Sequence, residues 1–160
     1  MQPITPCLWF DTEGEEAANF YTSVFPNSRI LDVSNYGEAG PREVGTVMTV
    51  SFELNGLQFL ALNGGPQYRF SEAVSFQVSC ETQDDVDHYW NALADGGEEG
   101  PCGWLKDRFG VSWQVVPRAL PRLLGDPDKE KAQRVMRAMM QMKKLQIDEL
   151  ERAAAESAVV

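Results

Sequence analysis

Apolar residues recur along this chain with two periods, and the switches between them mark its elements. Ile4 to Phe10 is a short apolar run bounded by Pro3 and by Asp11-Thr12, which predicts a strand. From Glu15 the period becomes helical. Ala17, Ala18, Phe20, Tyr21, Val24 and Phe25 share a stripe, early glutamates suit the positive helix end, Asp11 or Thr12 can cap it, and Pro26-Asn27 stops it. Arg29 to Tyr36 reads as a strand and Gly37 to Arg42 as a loop. Gly45 to Leu54 alternates Val47, Thr49 and Ser51 against Met48, Val50 and Phe52. Asn55-Gly56 is a type I′ hairpin signal, and Leu57 to Leu62 is the returning strand, ending at Asn63-Gly64-Gly65-Pro66.

The second half repeats this order. Ala73 to Cys80 predicts a strand in which Val74, Phe76 and Val78 alternate with Ser75, Gln77 and Ser79. Thr82, with Asp85 three positions on, opens a helix as a variant capping box; Val86, Tyr89, Trp90 and Leu93 form its buried stripe and Gly96-Gly97 ends it. Glu98 to Lys106 holds one or two strands. In Cys102 to Pro117, CGWLKDRFGVSWQVVP, two Trp-bearing runs flank Asp107-Arg108-Phe109-Gly110, with Asp first and Gly last in the turn, so the segment predicts a hairpin. Asp107 is assigned to that turn, bonding backbone ahead of Phe109, rather than to acid catalysis. Trp104 and Trp113 are assigned to the core.

Ala17, Phe20-Tyr21 and Val24 match Val86, Tyr89-Trp90 and Leu93 at one constant offset, so the chain contains the same unit twice. Each βαβββ unit has a helix face it must bury, which predicts an α+β fold: two modules forming a half-barrel sheet, with helices outside, a concave interior, and a helical C-terminal extension. The first module spans about residues 1–66, the second about 72–118, together a single domain over 1–118, and the extension 119–160. In that extension Asp126-Pro127 supplies an N-cap and first-turn proline, followed by an apolar stripe of Val135, Met136, Met139, Met140 and Met142. The stripe can pack on the sheet, cover the cleft as a lid, or meet a dimer partner, since methionine adapts to irregular surfaces. Lys144 to Ile147 is an expected break, Asp148 a cap for a last helical turn through Ala155, and 156–160 a frayed end.

Charge narrows the partners. The chain has 24 acidic and 14 basic residues, a net charge of −10, which repels nucleic-acid phosphates and anionic membrane surfaces. The clustered bases Lys129, Lys131, Arg134, Arg137, Lys143 and Lys144 are interleaved with the apolar stripe and form a solvated helix face. No run of roughly 18 apolar residues occurs, and the start lacks the pattern of a signal peptide, so a cytoplasmic protein is expected. The three cysteines, Cys7, Cys80 and Cys102, form no CxxC pair and are expected to be reduced thiols, with Cys7 and Cys80 turned toward the helices.

The runs ITPCLWFD, NFYTSVFPNSRI, FLALNGGP, SFQVSC and CGWLKDRFGVSWQVVP, with a Trp-bearing helix ending in Gly-Gly and the tail from Asp128 to Lys144, resemble the PhnB-like family of the vicinal oxygen chelate (VOC) superfamily. That superfamily includes glyoxalase I, bleomycin-resistance proteins and extradiol dioxygenases. Chains of this type are often described as demethylubiquinone methyltransferase domains. The sequence does not support that activity, because it has no Gly-rich loop after a first Rossmann strand to hold S-adenosylmethionine.

The resemblance implies where a site should lie. The metal-ligand positions of metal-dependent relatives fall on Pro6, Phe59, Ala73 and Gln114, none of them a His or carboxylate, so no metal and no other cofactor is expected. The lone histidine, His88, is assigned to a solvated helix position. The implied concave face carries Pro6, Leu8, Phe10, Phe59, Ala61, Asn63, Ala73, Ser75, Gln77 and Gln114. From it the expected ligand contacts are Gln114, Asn63, Gln77 and Ser75 as polar groups, and Phe59, Phe10 and Leu8 as apolar ones. The expected function is binding of a small organic ligand in a metal-free cleft by a homodimer; the alternative is a lyase or isomerase of the glyoxalase type, which needs an acid or base in that cleft.

Overall fold

The computed structural model describes residues 2–156, and chain contacts divide it into two units whose boundary falls between Phe70 and Ser71. The first unit runs β1 (Cys7–Phe10), α1 (Gly14–Val24), β2 (Arg29–Asn35), β3 (Val47–Leu54) and β4 (Leu57–Asn63). Its sheet has the order β1-β4-β3-β2, with β1 parallel to β4 and the other pairs antiparallel. Asn55 and Gly56 both take positive φ, 47° and 87°, as a type I′ turn requires, and this sets the register Leu54 to Leu57, Phe52 to Phe59 and Val50 to Ala61.

The helix stripe Ala17, Ala18, Tyr21 and Val24 is buried, as are Val50, Phe52 and Leu54 of β3. Tyr21 stacks on Phe52 with centroids 6.2 Å apart, and Phe52 on Phe59 at 5.4 Å. The start of α1 is held from a distance in sequence. Its N-cap residue is Glu13, which makes no side-chain cap, so neither Asp11 nor Thr12 serves as expected. Instead the Gly14 amide donates to Asn63 Oδ1 of β4 at 2.8 Å, while Asn63 Nδ2 donates to the Val47 carbonyl at 3.1 Å. A Cβ at position 14 would sit 2.7 Å from Asn63 Oδ1, so glycine is what allows the helix to start this close to the strand.

The second unit repeats the order: β5 (Ser75–Cys80), α2 (Gln83–Ala94), β6 (Glu98–Glu99), β7 (Trp104–Lys106) and β8 (Ser112–Pro117), in a sheet β5-β8-β7-β6. The class is α+β, with the βαβββ module present twice. Thr82 and Asp85 form both arms of the expected capping box on α2. Asp107 is buried in the β7–β8 turn. Its Oδ1 accepts from the Phe109 and Val111 amides at 2.8 and 3.0 Å, and its Oδ2 from Trp113 Nε1 at 2.8 Å. The turn role read from sequence is therefore fulfilled, with an added bond to the core indole.

Three helices complete this unit: α3 (Ala119–Leu124), which the sequence pattern did not indicate, α4 (Lys129–Met140) and α5 (Ile147–Ala155). Asp128, not Asp126, caps α4 by accepting from the Glu130 and Lys131 amides; α5 starts at Ile147, so Asp148 lies inside its first turn. The apolar stripe packs on its own unit, Val135 and Met142 joining Leu145, Leu150 and Ala154 against Val116, Leu120 and Leu123. Backbone bonds from Cys102 and Gly103 to the Met142 and Lys143 carbonyls, and the Gln83 side chain bridging Leu145 and Ile147, fasten the connection between α4 and α5. Met136 and Met140 stay exposed. The end expected to be frayed lies, from residue 157, outside the described residues.

Asn63→Ala leaves the Gly14 amide without its partner in a buried setting and is expected to destabilise the chain by about 1–3 kcal/mol. Asp107→Asn replaces one charged acceptor oxygen by a donor facing other donors and should cost about 1.5–3 kcal/mol. Urea denaturation checks both, through a lowered midpoint with an unchanged slope.

Candidate functional site

Each sheet has one face under its helix and one turned away from it, and the site expected from sequence has to be sorted between them. In the first unit Leu8 pairs with Ala61 and Phe10 with Asn63, and these residues share the side of Phe52 and Phe59 that packs on α1. Leu8, Phe10, Phe59 and Asn63 are all buried. This corrects their expected placement on an open, concave face. Asn63 is also chemically committed: besides the Gly14 and Val47 bonds, its backbone carbonyl accepts from Tyr36 Oη at 2.6 Å. The face turned away from α1 carries Cys7, Trp9, Leu60 and Leu62, so Cys7 also lies opposite to its expected side and is exposed. Because side chains alternate along a strand, a shift of one residue moves all of them to the other face. The Asn55-Gly56 turn held the missing signal. It pairs Phe59 with Phe52 in a strand whose polar positions Thr49, Ser51 and Glu53 mark the face away from the helix.

In the second unit Ser75, Gln77 and Gln114 lie on the face turned away from α2. Cys80 is buried, and its thiol is pushed up to about 11, first by burial and then by the charge of Asp85 on α2, which marks its face as the one under the helix. Parallel pairing of β5 with β8 puts Ser75 beside Ser112 and Gln77 beside Gln114 on the opposite face. Gln114 Nε2 donates to Ser75 Oγ at 2.9 Å, which fixes the amide, and Gln77 is exposed. Antiparallel pairing adds Trp104 opposite Gln114 and Lys106 opposite Ser112. Ala73 precedes the strand.

A hollow of about 380 Å³ opens here, lined by Pro101, Trp104, Leu105, Lys106, Ser112 and Glu72 among others. Lys106 Nζ bonds Glu72 Oε1 at 2.6 Å; this bond holds the Lys106 ammonium above its usual range and the Glu72 carboxyl below its own. Ser112 is 1% exposed, and its Oγ is the buried side-chain polar atom without a hydrogen-bond partner among the described residues. Trp104, Lys106, Glu72 and Ser112 were not among the contacts expected from sequence. Ser112 shares the parity of Gln114, but only the fold shows that its hydroxyl is left over.

Other features offer less. A hollow of about 960 Å³ lies along α4 and α5; of the arginines lining it, Arg134 is committed to the Ala153 and Ala154 carbonyls at the end of α5. His88 is an exposed residue of α2, its ring edge-on to Tyr89. Among the described residues no three His, Cys, Asp or Glu side chains are grouped to hold a metal ion. Taken sheet by sheet, the positions of β1 and β4 facing away from α1 carry Cys7, Trp9, Gln58, Leu60 and Leu62, and those of β5 and β8 facing away from α2 carry Ser75, Gln77, Ser79, Ser112, Gln114 and Val116; neither set fits a divalent first-row ion. Nor do the residues fit S-adenosylmethionine. Neither sheet is a doubly wound parallel sheet, and the first-turn amide of the helix after β1 is spent on Asn63.

Among the described residues no helix is long and apolar enough to cross a membrane. No curated protein matches the chain. The sequence profile of a family described as 3-demethylubiquinone-9 3-methyltransferase matches residues 2–116, ending before the C-terminal helices. A solved structure from Bacillus cereus, a putative 3-demethylubiquinone-9 3-methyltransferase, PhnB protein, is 38% identical over 72% of this chain and 99% of that one, with a TM-score of 0.65. A Pseudomonas aeruginosa protein is 21% identical over 73% of this chain and 98% of that one (TM-score 0.60). The fosfomycin resistance protein FosX of Mesorhizobium loti is 12% identical over 71% and 89% (TM-score 0.51); both share the fold. Two βαβββ modules, a profile match over most of the chain and a 38% identical relative together mean that the chain belongs to the PhnB-like family described as 3-demethylubiquinone-9 3-methyltransferase.

Proposed function

We propose that this chain binds a small organic ligand, without metal, on the face of the second sheet turned away from α2, and that Gln114, Gln77 and Ser75 orient it. The observation that carries this is the Gln114 amide, fixed by Ser75 on the same face as Trp104 and Ser112, its cross-strand and same-strand neighbours, which line the hollow. Ligand sites are commonly built this way, with much apolar surface and a few fixed polar groups. The Gln114 amide oxygen is left to accept from a ligand donor. In the lyase or isomerase alternative an acid or base must act in the hollow. The acid and base nearest to hand, Lys106 and Glu72, are bonded to each other at 2.6 Å, so either acts on a ligand only by giving up that bond. The methyl transfer named in the family description draws no support from either sheet. The chain further acts as a homodimer in this reading, which would give Met136 and Met140 apolar cover.

Incubation with a metabolite library followed by mass spectrometry should identify a retained compound, and Gln114→Ala should weaken its binding by about three- to tenfold, as expected for one uncharged hydrogen bond. Unchanged affinity would remove Gln114 from the site, and conversion of the bound compound would favour the lyase or isomerase. Elemental analysis of untagged protein is expected to find no stoichiometric zinc, nickel, manganese or iron. Light scattering is expected to give twice the chain mass; a particle of one chain mass at micromolar concentration would remove the dimer.

A further inference from the structure

We infer that the hollow beside Ser112 selects a neutral, flat ring compound bearing a carbonyl oxygen, which docks against Trp104 with that oxygen on Ser112 Oγ. The inference rests on the ligand surface proposed above and adds the class of compound it takes. Ser112 is central to it. A hydroxyl that is 1% exposed and unpartnered has lost its water contacts without regaining a bond, a cost that an arriving acceptor removes. Lys106 is its cross-strand neighbour on the same face, and an ammonium has three N–H groups, of which Glu72 engages one. Two residues paired across the strands and lining the hollow thus each carry a donor, Ser112 Oγ and Lys106 Nζ, which suits a carbonyl oxygen with its two lone pairs.

Charge then sets the class. Glu72, Glu98 and Glu99 line the hollow and are exposed, so an anion entering a chain of net charge −10 meets carboxylates first. Glu98 is paired across the strands with Lys106, whose ammonium also lines the hollow and repels a cation. A neutral compound avoids both penalties. Trp104 and Pro101 add apolar lining, and the indole offers a flat surface on which a ring can stack.

Isothermal titration calorimetry with acetophenone, ethylbenzene, benzoate and benzylamine tests this on the full chain. Acetophenone is expected to bind more tightly than the other three. Ser112→Ala should weaken acetophenone by about three- to tenfold and leave ethylbenzene unchanged, because one neutral hydrogen bond is removed. Removing a buried, unpartnered hydroxyl should not lower the melting temperature, and Ser112→Thr, which restores the hydroxyl, should recover acetophenone binding. Benzoate or benzylamine binding more tightly than acetophenone, or an acetophenone affinity indifferent to Ser112→Ala, would overturn the inference. If in that case Gln114→Ala still weakens the compound retained from the library, the ligand surface stands and only the class of compound fails. Indifference of both variants to every bound compound would sink the two together.

Discussion

Each four-stranded sheet has to bury the apolar stripe of one helix, and this commits one of its two faces before any site can be built. Because side chains alternate with a period of two, the commitment covers whole strands at once. In the first unit it takes Leu8, Phe10, Phe59 and Asn63 for the side of α1, and leaves Trp9, Leu60 and Leu62 on the other side. In the second unit the same rule takes Cys80 and Trp113 for α2 and leaves Ser75, Gln77, Ser112 and Gln114. The candidate site follows from what the helices do not use.

Buried polar groups separate structure from function in these two units. Asn63 and Asp107 are both 6% exposed or less, yet each spends its side-chain oxygens on nearby N–H groups, the first to start a helix and the second to close a turn. Such groups rigidify the fold because leaving their partners unpaired is costly. Ser112 is equally buried and makes no such bond. A polar atom that the fold has paid to bury and left unsatisfied points to something the fold itself does not contain.

The C-terminal helices extend the second unit rather than standing apart from it. Val116 is a β8 residue on the face of Gln114, and it is covered by the cluster of Leu120, Leu123, Val135, Leu145 and Leu150. The extension thus occupies one end of the strand that supplies Gln114 and Ser112, while Trp104 and Lys106 border the hollow farther along. Part of the face left free by α2 is in this way closed by helices that the family profile does not reach.

The two βαβββ modules, the Asn55-Gly56 turn, the capping box at Thr82 and the turn role of Asp107 were legible in the chain, because these depend on contacts between residues close together in it. The face of Gln114 was legible for the same reason, since Ser112, Gln114 and Val116 alternate clearly with Trp113 and Val115. Three-dimensional packing settled that Asn63 belongs to α1, that Glu13 leaves that helix to be capped from β4, and that Val135 and Met142 fold onto their own unit while Met136 and Met140 stay exposed. It alone decided that Lys106 is bound to Glu72 and that Ser112 is left without a partner. Each of these turns on which residues distant in sequence arrive within bonding reach, and local periodicity carries no information about that.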